Sequence, residues 1–205
     1  MAEKLRLTKN EQKKQKDALK RFDQYLPTLR LKKQQLQVER AKIDSSIEKL
    51  KTEKAYNKAE TYKWVDVFAE NAGLEKLIGL EQIVTTDGNI AGVDIPVFER
   101  AVFREEDYDF ESTPLWVDYG IEMLKKIMTI NARIVTAERQ HELVSEELRI
   151  TTQRVNLFEK VMIPQTRENI RRITIYLGDL EIAAVVTGKI AKAKIERNAM
   201  MEIMA

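Results

Sequence analysis

Thr152-Gln153-Arg154-Val155-Asn156-Leu157-Phe158-Glu159-Lys160-Val161-Met162-Ile163-Pro164 is the stretch on which the reading of this chain turns. Outward from it, apolar residues recur at Ile127, Ile130, Ile134, Ala137, Val144, Leu148, Val155, Phe158 and Met162. The intervals are sums of threes and fours, which hold one narrow stripe on one side of a helix. A stripe of this width is buried by a second helix, not by a broad core. The fold therefore depends on where the partner helix comes from.

The N-terminal third supplies it. From about Thr8 to Ala72 the pattern is helical with a seven-residue repeat, and Phe22, Leu29, Leu36, Ile43, Leu50 and Trp64 share one heptad position, broken by Asn57. The companion position reads Leu19, Leu26, Lys33, Arg40, Ile47, Lys54, Thr61 and Phe68. Lysine and arginine there can lay their stems along the seam and keep their charges in water. Pro27 and Pro164 each remove a backbone donor inside a helical pattern, so a kink or restart is expected at both. The apolar phase also slips near Pro164, passing from Phe158 and Met162 to Ile170, Ile173, Leu177 and Leu180. If the helices fold back antiparallel, the numbers of facing residues sum to roughly 184, and Pro27 lies within about two turns of Pro164.

Between the helices the period changes. Gln82-Ile83-Val84-Thr85-Thr86 and Asn89-Ile90-Ala91-Gly92-Val93-Asp94-Ile95-Pro96-Val97 are β-prone, and Asp87-Gly88 between them predicts a two-residue hairpin turn with positive φ. Gly92 suggests a bulge or a close backbone approach, and Pro96 confines its strand to an edge or an end. The acidic cluster Glu105, Glu106, Asp107, Asp109 and Glu111 leads to Ser112-Thr113-Pro114, a cap followed by a first-turn proline.

The expected architecture is mainly α, a long antiparallel two-helix coiled coil with a small β-hairpin insert in the middle. Residues 1–72 form the N-terminal helix, 73–112 the middle segment, and 113–205 the C-terminal helix and tip. At 1.5 Å per residue the helices measure roughly 90 and 125 Å, so the last twenty or so residues of the second have no internal partner. Those residues include Ile182-Ala183-Ala184-Val185-Val186, apolar all round, and then Met200, Met201, Ile203 and Met204. An apolar helix without an internal partner needs an external one.

Composition narrows the function classes. Of 205 residues 33% are charged, with only seven glycines and four prolines, which favours long helices over a turn-rich globule. No cysteine is present, which excludes disulfides and thiolate metal sites and points to a reducing compartment. Met1 to Asn10 lacks the apolar core of a signal peptide, and no apolar run reaches the twenty or so residues of a membrane span. The net charge of +2 is too mild for nucleic acid as a main partner, although the first forty residues are basic. His141 lies on the apolar stripe between Ala137 and Val144, where a packed histidine is the expectation. Thr187-Gly188-Lys189 is similar to the end of a phosphate-binding loop. Ala183 and Ile190 stand where that loop requires glycine and Ser or Thr. Carboxylates are spread along solvated faces with no pocket to converge in. No catalytic residue, cofactor site or metal site is assigned, and the chain is not expected to be an enzyme by itself.

Three stretches resemble a known family. Leu29-Arg30-Leu31-Lys32-Lys33-Gln34-Gln35-Leu36 is similar to a Leu-Leu-Lys-x-Lys-Arg-x-x-Leu pattern, and Asn89-Ile90-Ala91-Gly92-Val93-Asp94-Ile95-Pro96 to an Asn-Ile-x-Gly-Val-x-x-Pro segment. Arg154-Val155-Asn156 with Glu159 and Ile163-Pro164 is similar to an Arg-Val-Asn-Ala-Leu-Glu…Pro segment. Together, in this order, they resemble the D subunit of the V-type and archaeal A-type rotary ATPases. Two features depart from that family: Tyr25-Leu26-Pro27 replaces the usual glycine before the first motif, and an apolar Ile182–Val186 replaces a strongly charged tail.

The resemblance implies a non-catalytic central rotor shaft (the central stalk) of a cytoplasmic, peripheral membrane complex. Such a shaft couples ATP hydrolysis or synthesis in a catalytic hexamer to rotation of a membrane ring and translocation of protons or sodium. Implied partners are the catalytic A and B subunits, the small F subunit and a membrane-side rotor subunit, with no nucleic acid and no direct membrane span. Candidate partner contacts are Ile182, Val185, Val186, Ile90, Val93 and Ile95. The coiled-coil seam is expected at Leu29, Leu36, Ile43, Leu50, Leu148, Val155 and Phe158. The alternatives are a coiled-coil tether unrelated to ATPases, against which the hairpin and the unpaired apolar end argue, and a basic coiled coil that binds nucleic acid.

Overall fold

The computed structural model describes residues 5–63, 77–106, 114 and 116–203, with backbone alone at Glu105 and 201–203. Helix α1 spans Lys9–Tyr62, strands β1 and β2 span Ile78–Ile90 and Val93–Glu105, and helix α2 spans Val117–Leu157. A π-helical segment at Phe158–Met162 then leads into α3, Ile163–Ile203. The class is mainly α, with long antiparallel helices and one two-stranded antiparallel sheet. Trp64, Phe68, Ala72, Asp107 to Glu111 and the Ser112-Thr113 cap lie outside the described residues. Contacts divide the chain into two compact units, Leu31–Thr152 and Met1–Arg30 with Gln153–Ala205.

In the unit Leu31–Thr152, one apolar cluster joins both helices to the hairpin. Leu36, Ile43 and Ile47 of α1 meet Ala137, Val144 and Leu148 of α2 and Ile95 of β2, with Ile90, Ala91, Val93 and Leu143 packed around them. Polar pairs flank this seam: Lys32 with Glu147 at 2.7 Å, Asp44 with His141 at 3.1 Å, Lys51 with Glu138 at 3.6 Å and Lys54 with Asn131 at 2.7 Å. Their residue numbers sum to between 179 and 189, close to the antiparallel register expected from the repeat. Asn57, the break in the heptad series, is buried and donates to the Glu53 carbonyl at 2.8 Å. Thr136 is buried too and returns its hydroxyl to the Ala132 carbonyl at 2.9 Å. Such back-bonding satisfies the polar atom within its own helix and leaves the remaining surface to the seam.

The hairpin turns at Ala91-Gly92, not at Asp87-Gly88. Ala91 and Gly92 carry φ of 51° and 79°, the paired positive values of a tight hairpin turn, while Asp87 and Gly88 lie inside β1 opposite Pro96 and Ile95. Asn89 braces the turn by accepting the Gly92 N–H at 3.0 Å and donating to Asp94 at 2.7 Å. Alanine at positive φ costs roughly 1–2 kcal/mol, but its methyl group is part of the packing against the helical cluster. Glycine at 88 has a separate cause, since a Cβ there would stand 2.6 Å from Val97 Cγ2. The pairing shifts once between Leu80 and Gln82 and again between Val84 and Thr85. The first bulge adds Glu81 to β1 and the second adds Glu99 to β2, so they cancel and the register is the same at both ends. Charged bulges also blunt two long open strand edges. At the base, Ile78, Val117 and Ile121 form a second cluster with Leu77, Phe103, Trp116 and Leu124. Here α2 begins at Val117, three residues later than the proline-led start read from sequence, and the Val117 N–H donates to the Pro114 carbonyl at 3.0 Å.

In the unit Met1–Arg30 with Gln153–Ala205, α1 starts where Thr8 caps it, its hydroxyl accepting the Glu11 N–H at 3.3 Å. Phe22 meets Phe158 edge to face, with ring centroids 5.3 Å apart. Arg30 pairs with Glu159 at 2.6 Å, Gln12 with Thr174 at 2.8 Å and Lys9 with Glu181 at 3.6 Å. The sums here run from 180 to 190. The helix continues unbroken through Pro27, so the expected restart is absent; a proline removes one bond, and neighbouring turns carry the helix across. On the opposite helix the irregularity is the π-helical segment, which ends one residue before Ile163 and two before Pro164.

Leu36 is fully enclosed, whereas Val38 on the same helix is half exposed. Leu36→Ala is expected to lower unfolding stability by about 2–4 kcal/mol, and Val38→Ala by less than about 0.5 kcal/mol. Urea titrations followed by circular dichroism measure both.

Candidate partner interface

Helix α3 outlasts its companion. Helix α1 begins at Lys9, and among the described residues Lys9–Glu181 is the last pair across the antiparallel register, while α3 itself runs on to Ile203. Every side chain from Asp179 to Met200 is exposed. Ile182, Val185 and Val186 are 65%, 58% and 49% accessible, and Ile190 and Ile195 extend the same exposure. At about 100° per residue, Ile182 to Val186 cover all sides of the helix, so this is an apolar cylinder and not an amphipathic face. A two-helix seam would need one stripe; enclosure from several sides suits this pattern better.

Charge distinguishes this unit further. Met1–Arg30 with Gln153–Ala205 carries 18 Lys and Arg against 10 Asp and Glu, a net of +8. Leu31–Thr152 carries 17 against 23, a net of −6. The chain's near-neutral total of +2 conceals this division. Along the exposed end of α3, however, Lys189, Lys192, Lys194 and Arg197 are balanced by Asp179, Glu181, Glu196 and Glu202, so the positive excess of this unit lies before that end. An apolar surface without net charge suits a partner that offers apolar groups.

The hairpin candidates lie in a different setting. Ile95 is only 5% exposed, and Ile90 and Val93 are half covered, all of them against the chain's own helical cluster. Gln140 donates to the Pro96 carbonyl, and the Arg133 guanidinium lies 5.5 Å from the centre of the Phe98 ring. These apolar side chains anchor the hairpin, with Ile90 and Val93 still partly exposed. Of the seam candidates, Leu36, Ile43, Leu148 and Val155 are buried, while Leu29, Leu50 and Phe158 are half-buried. The sequence pattern does not single out Ile190 and Ile195, although their position beyond the reach of α1 is the signal that identifies them. His141 contacts Asp44 and, at 3.4 Å, the Ser145 hydroxyl. Among the described residues no cluster of His, Asp and Glu could hold a metal ion, and no helix is long and apolar enough to cross a membrane.

Comparison with known proteins gives this arrangement a family. The family model for the ATP synthase D subunit matches residues 11–193. The chain is 47% identical over 192 residues to a V-type ATP synthase D subunit of Borreliella burgdorferi, covering 94% of this chain and 95% of that protein. It is 34% identical over 206 residues to one of Chlamydia caviae and 36% identical over 207 residues to one of Chlamydia felis, in both cases over 96% of each chain. With the family model matched over most of its length and relatives aligned along nearly all of theirs, the chain belongs to the family of V-type ATP synthase D subunits.

Proposed function

We propose that this chain is the central rotor shaft of a V-type ATPase or ATP synthase. It couples ATP hydrolysis or synthesis in a catalytic hexamer to rotation of a membrane ring and to proton or sodium translocation. The observation that carries the reading is the exposed, apolar end of α3 in a chain of the V-type ATP synthase D subunit family. In this reading Ile182, Val185 and Val186 turn within a ring formed by the catalytic A and B subunits. Contacts between apolar surfaces lack the directionality of hydrogen bonds, so no single angle is held tightly.

Torque requires that both helices turn together, which a continuous seam supplies and a single helix does not. The chain contributes shape and stiffness, and no catalytic group. An asymmetric shaft presents different faces to successive catalytic subunits and biases each toward a different conformation. The small F subunit and a membrane-side rotor subunit complete the set of partners, and the complex sits on the cytoplasmic face of a membrane. Ile90, Val93 and Ile95 then serve these partners indirectly, by fixing the hairpin in place.

Purification of the tagged chain from its native cells, with mass spectrometry of the retained proteins, tests the assignment. Recovery of two large nucleotide-binding subunits and a small F-like subunit is the expected result. Recovery of filament or DNA-associated proteins, with no ATPase subunit, would make a tether the better reading. Within the assembled complex, replacing Val155 and Phe158 together by Asp is expected to split the seam at a buried position and its aromatic neighbour. ATP hydrolysis should then proceed with ion pumping per ATP reduced at least about tenfold, because two buried or half-buried charges cannot be accommodated in the seam; unchanged pumping per ATP counts against the shaft. Deleting Lys189–Ala205 is expected to lower coupling while leaving retention of the F-like subunit within about twofold of wild type, as measured by quantitative pull-down.

A further inference from the structure

We propose that the level between Phe22 and Arg30 on α1, and between Phe158 and Pro164 on the returning helix, is a hinge at which bending and twisting of the helical pair concentrate. Four observations meet there. The first is an inserted residue. Val155 and Phe158 are followed on the covered side by Ile163, Thr166, Ile170, Ile173 and Leu177. A continued seven-residue repeat through Val155 and Phe158 would instead pass through Met162, Gln165, Asn169, Arg172 and Tyr176. Every later position is displaced by one, which is the signature of a single extra residue absorbed by a π-helical turn.

The second observation is a deficit of backbone bonds in both helices. Pro164 has no N–H for the Lys160 carbonyl, and the Ile163 N–H reaches back five residues to the Phe158 carbonyl. Across from it, Pro27 has no N–H for the Asp23 carbonyl. The third is sparse burial in the π-helical turn, where none of Phe158 to Met162 is buried and burial resumes at Ile163, while the first buried residue of α1 is Leu36. Fourth, the contacts that join the helices here tolerate reorientation. The Phe22–Phe158 pair is an edge-on ring contact, and the Arg30–Glu159 pair is exposed, with long stems that can follow a moving backbone. A level with fewer fixed bonds and with contacts that survive rotation deforms before its neighbours do.

On the rotor reading, which this consequence rests on, twist accumulated between catalytic steps would be held at this level. The hinge itself is a property of the chain alone and is tested there. Amide hydrogen exchange of the purified full-length chain is expected to show residues 24–31 and 159–168 exchanging at least about tenfold faster than residues 132–151. A variant combining Pro27→Ala, Pro164→Ala and deletion of Val161 restores both backbone bonds and the repeat, and should narrow the difference to less than about threefold. If that variant does not fold, Pro27→Ala and Pro164→Ala made singly must each slow exchange in their own helix. Uniform protection in the wild-type chain overturns the proposal. So does a difference that persists unchanged once the prolines are removed. Neither outcome bears on whether the chain is a rotor shaft.

Discussion

A stripe of apolar side chains one or two residues wide can leave water only against a second stripe of the same kind. This constraint organises the molecule. It pairs Leu36, Ile43 and Ile47 with Ala137, Val144 and Leu148, and it sets the antiparallel register that decides which residues have partners. In the unit Met1–Arg30 with Gln153–Ala205, Ile182, Val185, Val186, Ile190 and Ile195 stay exposed, with no apolar surface over them among the described residues. The exposed end of α3 follows from the greater length of the returning helix, and on the proposed function an outside surface covers it.

Polar groups along the seam are arranged so that they do not compete with this pairing. Asn57, Thr136 and Thr166 are buried but return their side-chain hydrogen bonds to carbonyls one turn back in their own helices. Charged groups stay at the margins, where pairs such as Lys32–Glu147 reinforce alignment and contribute little to stability. The hairpin extends the core sideways. Its positive-φ alanine is tolerated because the methyl group packs where the turn meets the helical cluster. A rigid attachment of this kind lets a small sheet move as one body with the helices that carry it.

Most of the architecture is legible in the sequence because helix pairing is written as a repeat. The heptad positions from Phe22 to Leu50, the return stripe from Ile127 to Val155 and the phase slip before Pro164 each have a direct physical reading. The hairpin turn is not legible in the same way. Asp87-Gly88 has the better turn chemistry, but turn chemistry is local, and the choice of Ala91-Gly92 depends on contacts with distant helices. The packing of Ile90, Val93 and Ile95 against the helices is hidden for the same reason, since no local pattern says that the strand tip folds back onto its own chain. Pro27 suggests a helix restart, yet one missing bond is too small a loss to stop a helix whose flanking turns are paired. The exposed end is legible in outline from helix lengths. The division of charge between the two units is not, because the basic unit and the acidic unit cancel in the total.

The absence of cysteine allows a direct test of rotation. A single cysteine introduced at Glu81, on the exposed bulge of β1, can carry a fluorescent rod or bead while the catalytic ring is fixed to a surface. On addition of ATP the probe is expected to turn in one direction, in steps, and to stop when nucleotide is removed. ATP hydrolysis at the normal rate beneath a stationary probe would contradict the account, because the chain would then belong to the fixed part of the machine.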